Sequence, residues 1–195
     1  MAFFNENKTK VKIAESFIEA VSQNANRLVS VQEIAEKAQL NRQTFYYHFQ
    51  DRDQLIEWIF SKDALRYLSI EEVTIDNWEE QALKTLKAII AHAEFYQIVL
   101  KEKRELLTET FGQRIQLIFE KIFQEVKIGY ELSSQEVQFY SRFFSFGCRG
   151  LFETWIQEGY QETPLVMATQ LFQLAKDIEF LAHRLYDRQE ENNND

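Results

Sequence analysis

Apolar residues recur along this chain at every third or fourth position rather than at every second one. In residues 8–22, for example, Ile13, Phe17 and Val21 form one row at positions i, i+4 and i+8. Because an α-helix has about 3.6 residues per turn, this spacing puts the three side chains on a single face. The pattern predicts an amphipathic helix in this segment.

Further helix starts are marked by residues whose side chains can accept a hydrogen bond from a free backbone N–H. Ser30 followed by Glu33 is a capping box, and Asn41 and Asp51 offer similar caps for the next two helices. The first four helices are therefore predicted over residues 8–22, 31–38, a short stretch after Asn41, and a segment from Asp51 to about residue 67.

The remaining helices are predicted from apolar spacing and from residues that end or begin helices. Gly129 and Gly159 stand where C-terminal caps are expected, and Thr163 is a cap followed by Pro164 at the first helical position. Residues 68–76 are acidic and irregular, which predicts a hinge. About nine helices are predicted in all, the later ones over residues 78–92, 94–100, 107–127, 134–158 and 164–188.

Glycine and proline usage supports a purely helical fold. The chain has 5 glycines and 1 proline, and no glycine precedes Gly112, so sheet turns have little support. We predict an all-α protein with a small N-terminal helical domain (residues 1–52, the N-terminal segment), a larger C-terminal helical domain (residues 53–188, the C-terminal segment) and a disordered tail (residues 189–195). The chain lacks a bilayer-spanning apolar stretch and a signal-peptide pattern at its start, so we expect a cytoplasmic protein.

Charge is distributed unequally between the two predicted domains. The net charge is -9, which argues against a protein that coats nucleic acid along its whole surface. Residues 1–52 hold seven Lys and Arg against six Asp and Glu, whereas the rest of the chain holds fifteen against twenty-five. An acidic surface repels phosphate, so any contact with DNA is expected from the N-terminal segment.

The segment from Ser30 to Phe49 has the length and order of a helix-turn-helix. On its second helix, Phe45 and Phe49 fall on one side, while Gln43 and Tyr47 point the opposite way. The outer side thus exposes amides, hydroxyls and aromatic rings, which can meet base edges, thymine methyls and phosphates. This arrangement predicts a DNA recognition helix.

The run Thr44-Phe45-Tyr46-Tyr47-His48-Phe49, followed by Asp51-Arg52-Asp53-Gln54-Leu55, resembles the signature of the tetracycline-repressor (TetR) family of regulators. The resemblance implies a three-helix DNA-binding domain, a connecting fourth helix, a ligand-responsive C-terminal body and dimerisation through the last two helices. It also implies the DNA contacts, which by position are Ser30, Val31, Gln32, Arg42, Gln43, Thr44, Tyr46, Tyr47, His48 and Arg52.

One residue departs from the family pattern. The family usually has glycine in the turn where this chain has Gln39. We therefore expect Gln39 either to adopt a left-handed backbone conformation at some cost or to sit in a locally different turn.

A longer stretch, from Asn41 through Phe49 with Leu55 to Phe60 after it, is similar to the DhaS-like branch of the family, regulators of dihydroxyacetone kinase operons. That resemblance implies an activator controlled by a partner protein related to the kinase. The wider family implies control by a small-molecule effector, and the residues leave both modes open.

Two long amphipathic helices at the end of the chain suit a four-helix interface with a second copy. Gly147 and Gly150 would let another helix approach closely. We predict a homodimer on double-stranded operator DNA, with an interface that includes Tyr140, Phe144, Gly147, Leu151, Trp155, Leu174, Ile178 and Leu181.

The C-terminal segment is rich in phenylalanine, which is typical either of a simple core or of an apolar ligand pocket. If a pocket exists, its predicted lining is His92, Phe95, Tyr96, Phe111, Phe119 and Phe143.

Other chemistry finds little support in the sequence. Cys148 is the only cysteine, His92 and Glu94 lack the spacing of a metal site, and no phosphate loop or nucleophile motif occurs. We therefore predict no enzyme activity, no metal and no cofactor. The alternative function is a helical adaptor or coactivator that acts mainly by docking another protein on its Phe-rich body.

Overall fold

The computed structural model describes residues 7–24, 27–125, 132–174 and 177. Within those ranges all regular structure is helical, so the predicted all-α class is confirmed. The elements are α1 (Lys8–Asn24), α2 (Val31–Lys37), α3 (Arg42–His48), α4 (Arg52–Asp63), a 3₁₀ turn (Leu65–Tyr67), α5 (Trp78–Ala91), α6 (Ala93–Glu102), α7 (Arg104–Glu125), α8 (Ser134–Gln157) and α9 (residues 164–174).

Helix starts lie where the capping residues predicted them. Ser30 and Glu33 form a complete capping box at α2, and the side chain of Asn41 accepts from the backbone of Thr44 at α3. Asp51 caps α4 in the same way. Each cap satisfies an N–H that the helix itself leaves free, which fixes where the helix begins.

Two helices end in the same left-handed turn, but with different residues in it. At the end of α2, Gln39 has φ 52°, and Leu40 N–H donates to Ala35 O at 2.9 Å. At the end of α8, Gly159 has φ 79°, and Tyr160 N–H donates to Trp155 O at 2.8 Å. This is the Schellman arrangement, in which glycine is the usual residue. The expectation of a left-handed Gln39 is confirmed.

One continuous core runs from α1 to α9. The ring of Phe17 on α1 meets that of Phe95 on α6 edge to face, with centroids 5.5 Å apart. Phe60 on α4 contacts Tyr96 on α6 and Phe152 on α8. The longest helix pair, α7 with α8, forms the centre of the C-terminal segment. Helix α4 is thus packed between the N-terminal helices and the rest of the chain.

The predicted hinge at residues 68–76 is a loop, but it is fastened to α7. Arg114 donates to the carbonyl of Leu68 at 2.9 Å, and Lys121 donates to those of Glu71 and Val73 at 3.0 and 3.2 Å. These bonds could not be predicted from the local pattern, because the bonding partners lie about fifty residues away in sequence.

Some expectations fall outside the described residues: the cap at Gly129, the end of the helix predicted over residues 164–188, and the tail 189–195. No helix in the described ranges has the length and apolar character needed to span a bilayer.

Candidate nucleic-acid interface

Helix α3 has one buried face and one exposed face. Phe45 and Phe49 are 1% and 2% exposed, and the Phe49 ring packs on Trp58 of α4. On the opposite side, Tyr47 is 84% exposed and Tyr46 46%. A tyrosine held in the open on a short, rigid helix offers a hydroxyl and a ring to an external partner.

The start of α3 is held by its cap rather than by packing. Asn41 Oδ1 accepts from Thr44 N–H at 2.7 Å and from the Thr44 hydroxyl at 2.9 Å. One turn along, the Arg42 guanidinium donates to the Tyr46 hydroxyl at 3.1 Å and lies over that ring. Thr44 is therefore used within the turn, while Arg42 and Tyr46 form one exposed cationic and aromatic unit.

The start of α2 carries a charged pair beside its cap. Arg27 Nη2 lies 2.6 Å from Glu33 Oε1, and Glu33 also accepts from the Ser30 N–H at 2.7 Å. The hydrogen bond from Arg27, followed by those from Ser30, lowers the pKa of Glu33 to about 2. Glu33 therefore stays charged as a structural anchor, and Gln32 beside it is exposed and donates to Glu36.

The structure brings most of the predicted DNA contacts to the exposed side of α2 and α3, which pack on each other. Ser30, Gln32, Arg42, Gln43, Tyr46 and Tyr47 are exposed, whereas Val31, Thr44 and His48 are half-buried.

Arg52 is the exception among the predicted DNA contacts. Its Nη1 donates to the carbonyls of Leu28 and Val29 at 3.4 and 3.0 Å, and the residue is half-buried. In this geometry Arg52 supports the loop before α2. Its acceptors lie more than twenty residues away in sequence, so this role could not be predicted from the local pattern.

Lys10 was not among the predicted site residues, yet it lies at the same corner of the fold. Its ammonium is 5.2 Å from the centre of the Phe49 ring and 6.0 Å from that of Trp58. These are cation–π distances. They hold a positive charge beside the end of α3.

A cavity of about 70 Å³ lies inside the C-terminal segment, between α5, α7, α8 and α9. Of the predicted lining residues, Phe111 and Phe119 do line it. Most of the other walls are aliphatic or aromatic, among them Leu68, Val73, Trp78, Leu86, Ile115, Ile118, Ile122, Leu151, Phe152, Met167 and Leu171.

The other four predicted lining residues lie elsewhere. Phe95 and Tyr96 are fully buried in the core, where the Tyr96 hydroxyl donates to Asp63 at 2.9 Å. His92 follows α5 at its C-terminus, and Phe143 is 65% exposed on α8. The expectation for these four was wrong, because the apolar spacing identifies a buried face but not the neighbour that it meets.

The polar groups around the cavity are already occupied. The Thr85 hydroxyl donates to Gln81 O, and Trp155 Nε1 donates to Glu162 O, both at 2.9 Å. Burial raises the pKa of Cys148 to about 12, so its thiol stays neutral. Among the described lining residues, none offers a free charge or a strong hydrogen bond to a ligand.

The exposed face of α8 differs from the one that the sequence predicted. Trp155 is 2% exposed, and the rings of Tyr140 and Phe144 pack on Phe123 of α7. Trp155 therefore serves contacts within the chain, whereas Tyr140 and Phe144 are half-buried against α7. The prediction placed Trp155 on the outside because α8 carries aromatic residues on more than one face.

The outer face of α8, the phenylalanine face, is defined by three exposed rings with 56 to 65% exposure: Phe139, Phe143 and Phe146. Other exposed apolar residues, with 44 to 58% exposure, are Leu151 on α8 and Leu165, Val166 and Leu174 on α9. Gly147 and Gly150 also lie on α8, and a Cβ added at either would meet nothing within 4 Å. The predicted interface residues Ile178 and Leu181 lie outside the described residues.

No group of three or more His, Cys, Asp or Glu side chains within the described ranges is arranged to hold a metal ion.

Two family models match the chain. One is described as bacterial regulatory proteins of the tetR family and matches residues 20–59. The other is described as a transcriptional regulator C-terminal region and matches residues 76–177. The first range contains the exposed side of α2 and α3, and the second contains most of the cavity lining and the described phenylalanine face.

Known proteins of similar sequence and fold agree with these matches. The HTH-type dhaKLM operon transcriptional activator DhaS of Lactococcus lactis subsp. lactis (strain IL1403) is 30% identical over 145 residues, which cover 72% of this chain and 77% of the relative. The solved structure of a dihydroxyacetone kinase operon activator DhaS has a TM-score of 0.72 at 24% identity, covering 89% of this chain and 97% of its own. A TetR-family regulator from Rhodococcus sp. has a TM-score of 0.56 at 19% identity, covering 86% and 98%.

Proposed function

Because the chain is a transcriptional regulator that belongs to the TetR family, we propose that it binds operator DNA as a homodimer. DNA contact is assigned to residues 1–52, and dimerisation and control to residues 53–188. We propose that the protein acts in the cytoplasm, where its operator DNA lies. We assign no catalytic step and no cofactor to it.

The observation that carries the proposal is the two-sided character of α3. Its inner face is anchored by Phe45 and Phe49, and its outer face presents Arg42, Gln43 and Tyr47. Arginine pairs with guanine and glutamine with adenine in the major groove, while tyrosine adds a hydroxyl for phosphate and a ring for thymine. A helix that served packing alone would have no need for this outer set.

The proposal of a homodimer is supported by the phenylalanine face. Phe139, Phe143 and Phe146 are 56, 65 and 62% exposed, and such a cluster on one helix is costly to leave in water. The face lies at the end of the chain, where an isologous contact would use the same two helices from each copy. Two recognition helices would then read half-sites roughly 34 Å apart.

Control by a partner protein is favoured over control by a small polar effector. The cavity measures about 70 Å³, whereas pockets for drug-sized ligands typically measure about 300–1,000 Å³. A polyhydroxylated molecule such as dihydroxyacetone needs hydrogen bonds that this lining lacks, and burying it there would leave its hydroxyls unpaired. We therefore propose that a partner protein acts on the body from outside.

Activation is the proposed sign of regulation. The Lactococcus relative, which is 30% identical, is an operon activator. A reporter gene placed behind the promoter next to this chain's own gene tests the sign directly. Expression that falls when the chain is deleted supports activation, and expression that rises contradicts it.

DNase I footprinting upstream of the chain's own gene tests operator binding and dimerisation together. We expect a protected site with two similar half-sites about one helical turn apart. Addition of dihydroxyacetone alone should leave the footprint unchanged. No protection, or protection of one isolated half-site, would contradict the proposal and favour the adaptor function.

A further inference from the structure

The turn between α8 and α9 has two consecutive residues in the left-handed backbone region. Gly159 has φ 79° and Tyr160 has φ 61°. Glycine adopts this conformation freely, but a bulky aromatic residue does so only where the surrounding structure holds it there. The conformation of Tyr160 therefore indicates that contacts of its side chain compensate for the strain in its backbone.

The side chain of Tyr160 contacts two helices at once. Its hydroxyl donates to the carbonyl oxygen of Ala93, in the first turn of α6, at 2.8 Å. Its ring meets the ring of Trp155 edge to face, with centroids 4.9 Å apart. Burial raises the pKa of Tyr160, so the hydroxyl keeps its proton and remains a donor. The residue is thus fixed to α6 by its hydroxyl and to the last turn of α8 by its ring.

The chain that leaves this turn is bonded to the same place. Trp155 Nε1 donates to the carbonyl of Glu162 at 2.9 Å, and Thr163 then caps α9 by accepting from the Val166 N–H at 3.3 Å. The buried Trp155 side chain therefore contacts Tyr160 through its ring and Glu162 through its Nε1. These contacts set the direction in which α9 leaves α8.

The direction of α9 decides which of its residues stay outside. Met167 and Ala168 are buried, whereas Leu165 and Val166 are exposed. All four lie in the first two turns of α9, directly after the turn that Tyr160 holds, and a rotation of the helix would exchange the two sets. In an isologous contact that uses α8 and α9 from each copy, the outer residues of α9 belong to the interface.

The left-handed residue at the end of α2 offers a comparison. Gln39 is exposed in its turn, whereas Tyr160 is half-buried and bonded to a residue 67 positions away in sequence. Glycine or asparagine would form a left-handed turn at lower cost than either residue. A tyrosine in this conformation is therefore explained by what its side chain holds, and not by the needs of the turn alone.

We propose that Tyr160 is a positioning residue for the homodimer, which holds the start of α9 so that its outer residues meet the second copy. The inference rests on the proposed homodimer and names the residue that orients its second helix. Loss of the Tyr160 contacts frees α9 to rotate and tilt about the end of α8. The two copies then bind each other more weakly, although each helix stays formed.

Two variants of the full-length protein separate the contacts of Tyr160 from its backbone strain. Tyr160→Phe removes only the hydroxyl, and Tyr160→Gly removes the whole side chain while relieving the strain. Gln39→Gly relieves the same strain at α2 and is the matched control. Each variant is measured for dimer dissociation by sedimentation velocity over a dilution series and for helix content by circular dichroism. Hydrogen exchange is followed at Met167, whose N–H donates to the carbonyl of Thr163 at 3.1 Å.

We expect the dimer dissociation constant to rise about tenfold in Tyr160→Phe and about a hundredfold in Tyr160→Gly, with unchanged helix content. Exchange at Met167 should become faster in both variants. Gln39→Gly should dimerise like the wild type. A role confined to the turn predicts the opposite order, because Tyr160→Gly would then relieve strain and form a dimer at least as tight as the wild type.

A Tyr160→Gly protein that dimerises as tightly as the wild type would overturn the proposal, and so would wild-type exchange at Met167 in both variants. If Tyr160→Gly loses helix content, Tyr160→Phe decides the question, because it keeps the ring that packs on Trp155. A wild-type chain that stays monomeric would contradict the proposed homodimer, and the proposal with it. A dimeric wild type with unchanged variants would contradict the role of Tyr160 alone.

Discussion

Helices α3 and α8 both expose aromatic rings, but the two sets of rings differ in chemistry. On α3 the exposed rings are Tyr46 and Tyr47, with Arg42 and Gln43 beside them. On α8 they are phenylalanines, of which Phe143 is 65% exposed. A phenylalanine offers only apolar area, whereas a tyrosine also offers a hydroxyl. The polar handle distinguishes a face that suits nucleic acid from a face that suits another protein helix.

The two faces also differ in how they are supported. Helix α3 has 7 residues and is held by the Asn41 cap and by Phe45 and Phe49. Helix α8 has 24 residues, and its inner face packs along α7. A short helix that is fixed by a cap and two buried rings presents a few side chains in defined positions, and a long helix presents an extended area. Contact with DNA bases and contact with a second protein helix therefore need different structural support.

Substitution on the phenylalanine face should have the largest effect. Phe143→Glu places two carboxylates close to each other in an isologous interface without partners. We expect monomers in sedimentation velocity, and a loss of about hundredfold in operator affinity because the two half-sites no longer act together. Leu117→Glu, at an apolar position of α7 with 46% exposure, is the matched control and should stay dimeric. A dimeric Phe143→Glu protein would contradict the assignment of this face as the dimer interface.

Substitution on the outer face of α3 comes next. Gln43→Ala and Tyr47→Ala should each weaken specific operator binding by about 1–3 kcal/mol, roughly ten- to a hundredfold, without changing the oligomeric state. Gln50→Ala, an exposed position just past α3, is the control. Unchanged affinity in both variants, measured by anisotropy with the footprinted site, would mean that α3 does not read bases.

Substitutions at Gln39 and Gly159, in the two left-handed turns, should change the free energy of unfolding by a smaller amount. The change should be of opposite sign at the two residues. Gln39→Gly should stabilise the protein by about 0.5–1 kcal/mol, since φ 52° costs a residue with a Cβ more than it costs glycine. Gly159→Gln at φ 79° should destabilise it by a similar amount. Urea unfolding measures both. A destabilised Gln39→Gly protein would show that the Gln39 side chain has a role of its own.

Substitution of the glutamates in the two capping boxes should have the smallest effect, which is seen in the pH dependence of the free energy of unfolding. The Arg27 hydrogen bond lowers the pKa of Glu33 to about 2, against roughly 4.3 in an unfolded chain. Its stabilisation is thus complete above about pH 5 and is lost as the pH falls towards 2. The free energy of unfolding of Glu33→Gln should differ from wild type near neutral pH and converge with it in acid.

Glu136 provides the comparison within the body. It forms the same box with Ser133 at the start of α8, and those hydrogen bonds also lower its pKa, but no arginine in the part of the chain that the structure describes assists them. Glu136→Gln should therefore show a smaller difference over the same pH window. An equal or larger difference at Glu136 would contradict the role given to Arg27.

Local features of this fold could be predicted from the sequence, because their causes lie within one turn of helix. Ser30, Asn41 and Thr163 begin helices through bonds to residues three positions on, and the structure has all three bonds. The left-handed conformation of Gln39 is one of the two alternatives predicted where this residue takes the place of the family's usual glycine. The outer and inner sides of α3 followed from seven residues of spacing.

Features that depend on distant partners could not be predicted. The hydrogen bonds from Arg52 to the carbonyls of Leu28 and Val29 are one example, because these carbonyls lie more than twenty residues away in sequence. Glu102, Lys103 and Arg104 belong to no motif in the sequence, yet all three bond residues at least forty-nine positions away. Periodicity identified α8 as amphipathic, but only packing on α7 showed which of its aromatic faces is free.

Fluorescence anisotropy with duplexes from upstream of the chain's own gene, beside a scrambled duplex and across a salt series, tests the central claim most directly. Sequence-specific reading predicts that binding to one upstream duplex persists at about 0.15 M salt, where binding to the scrambled duplex is lost. Equal, salt-sensitive binding to both duplexes, or no binding to either, would contradict it and would make the phenylalanine face the main functional surface.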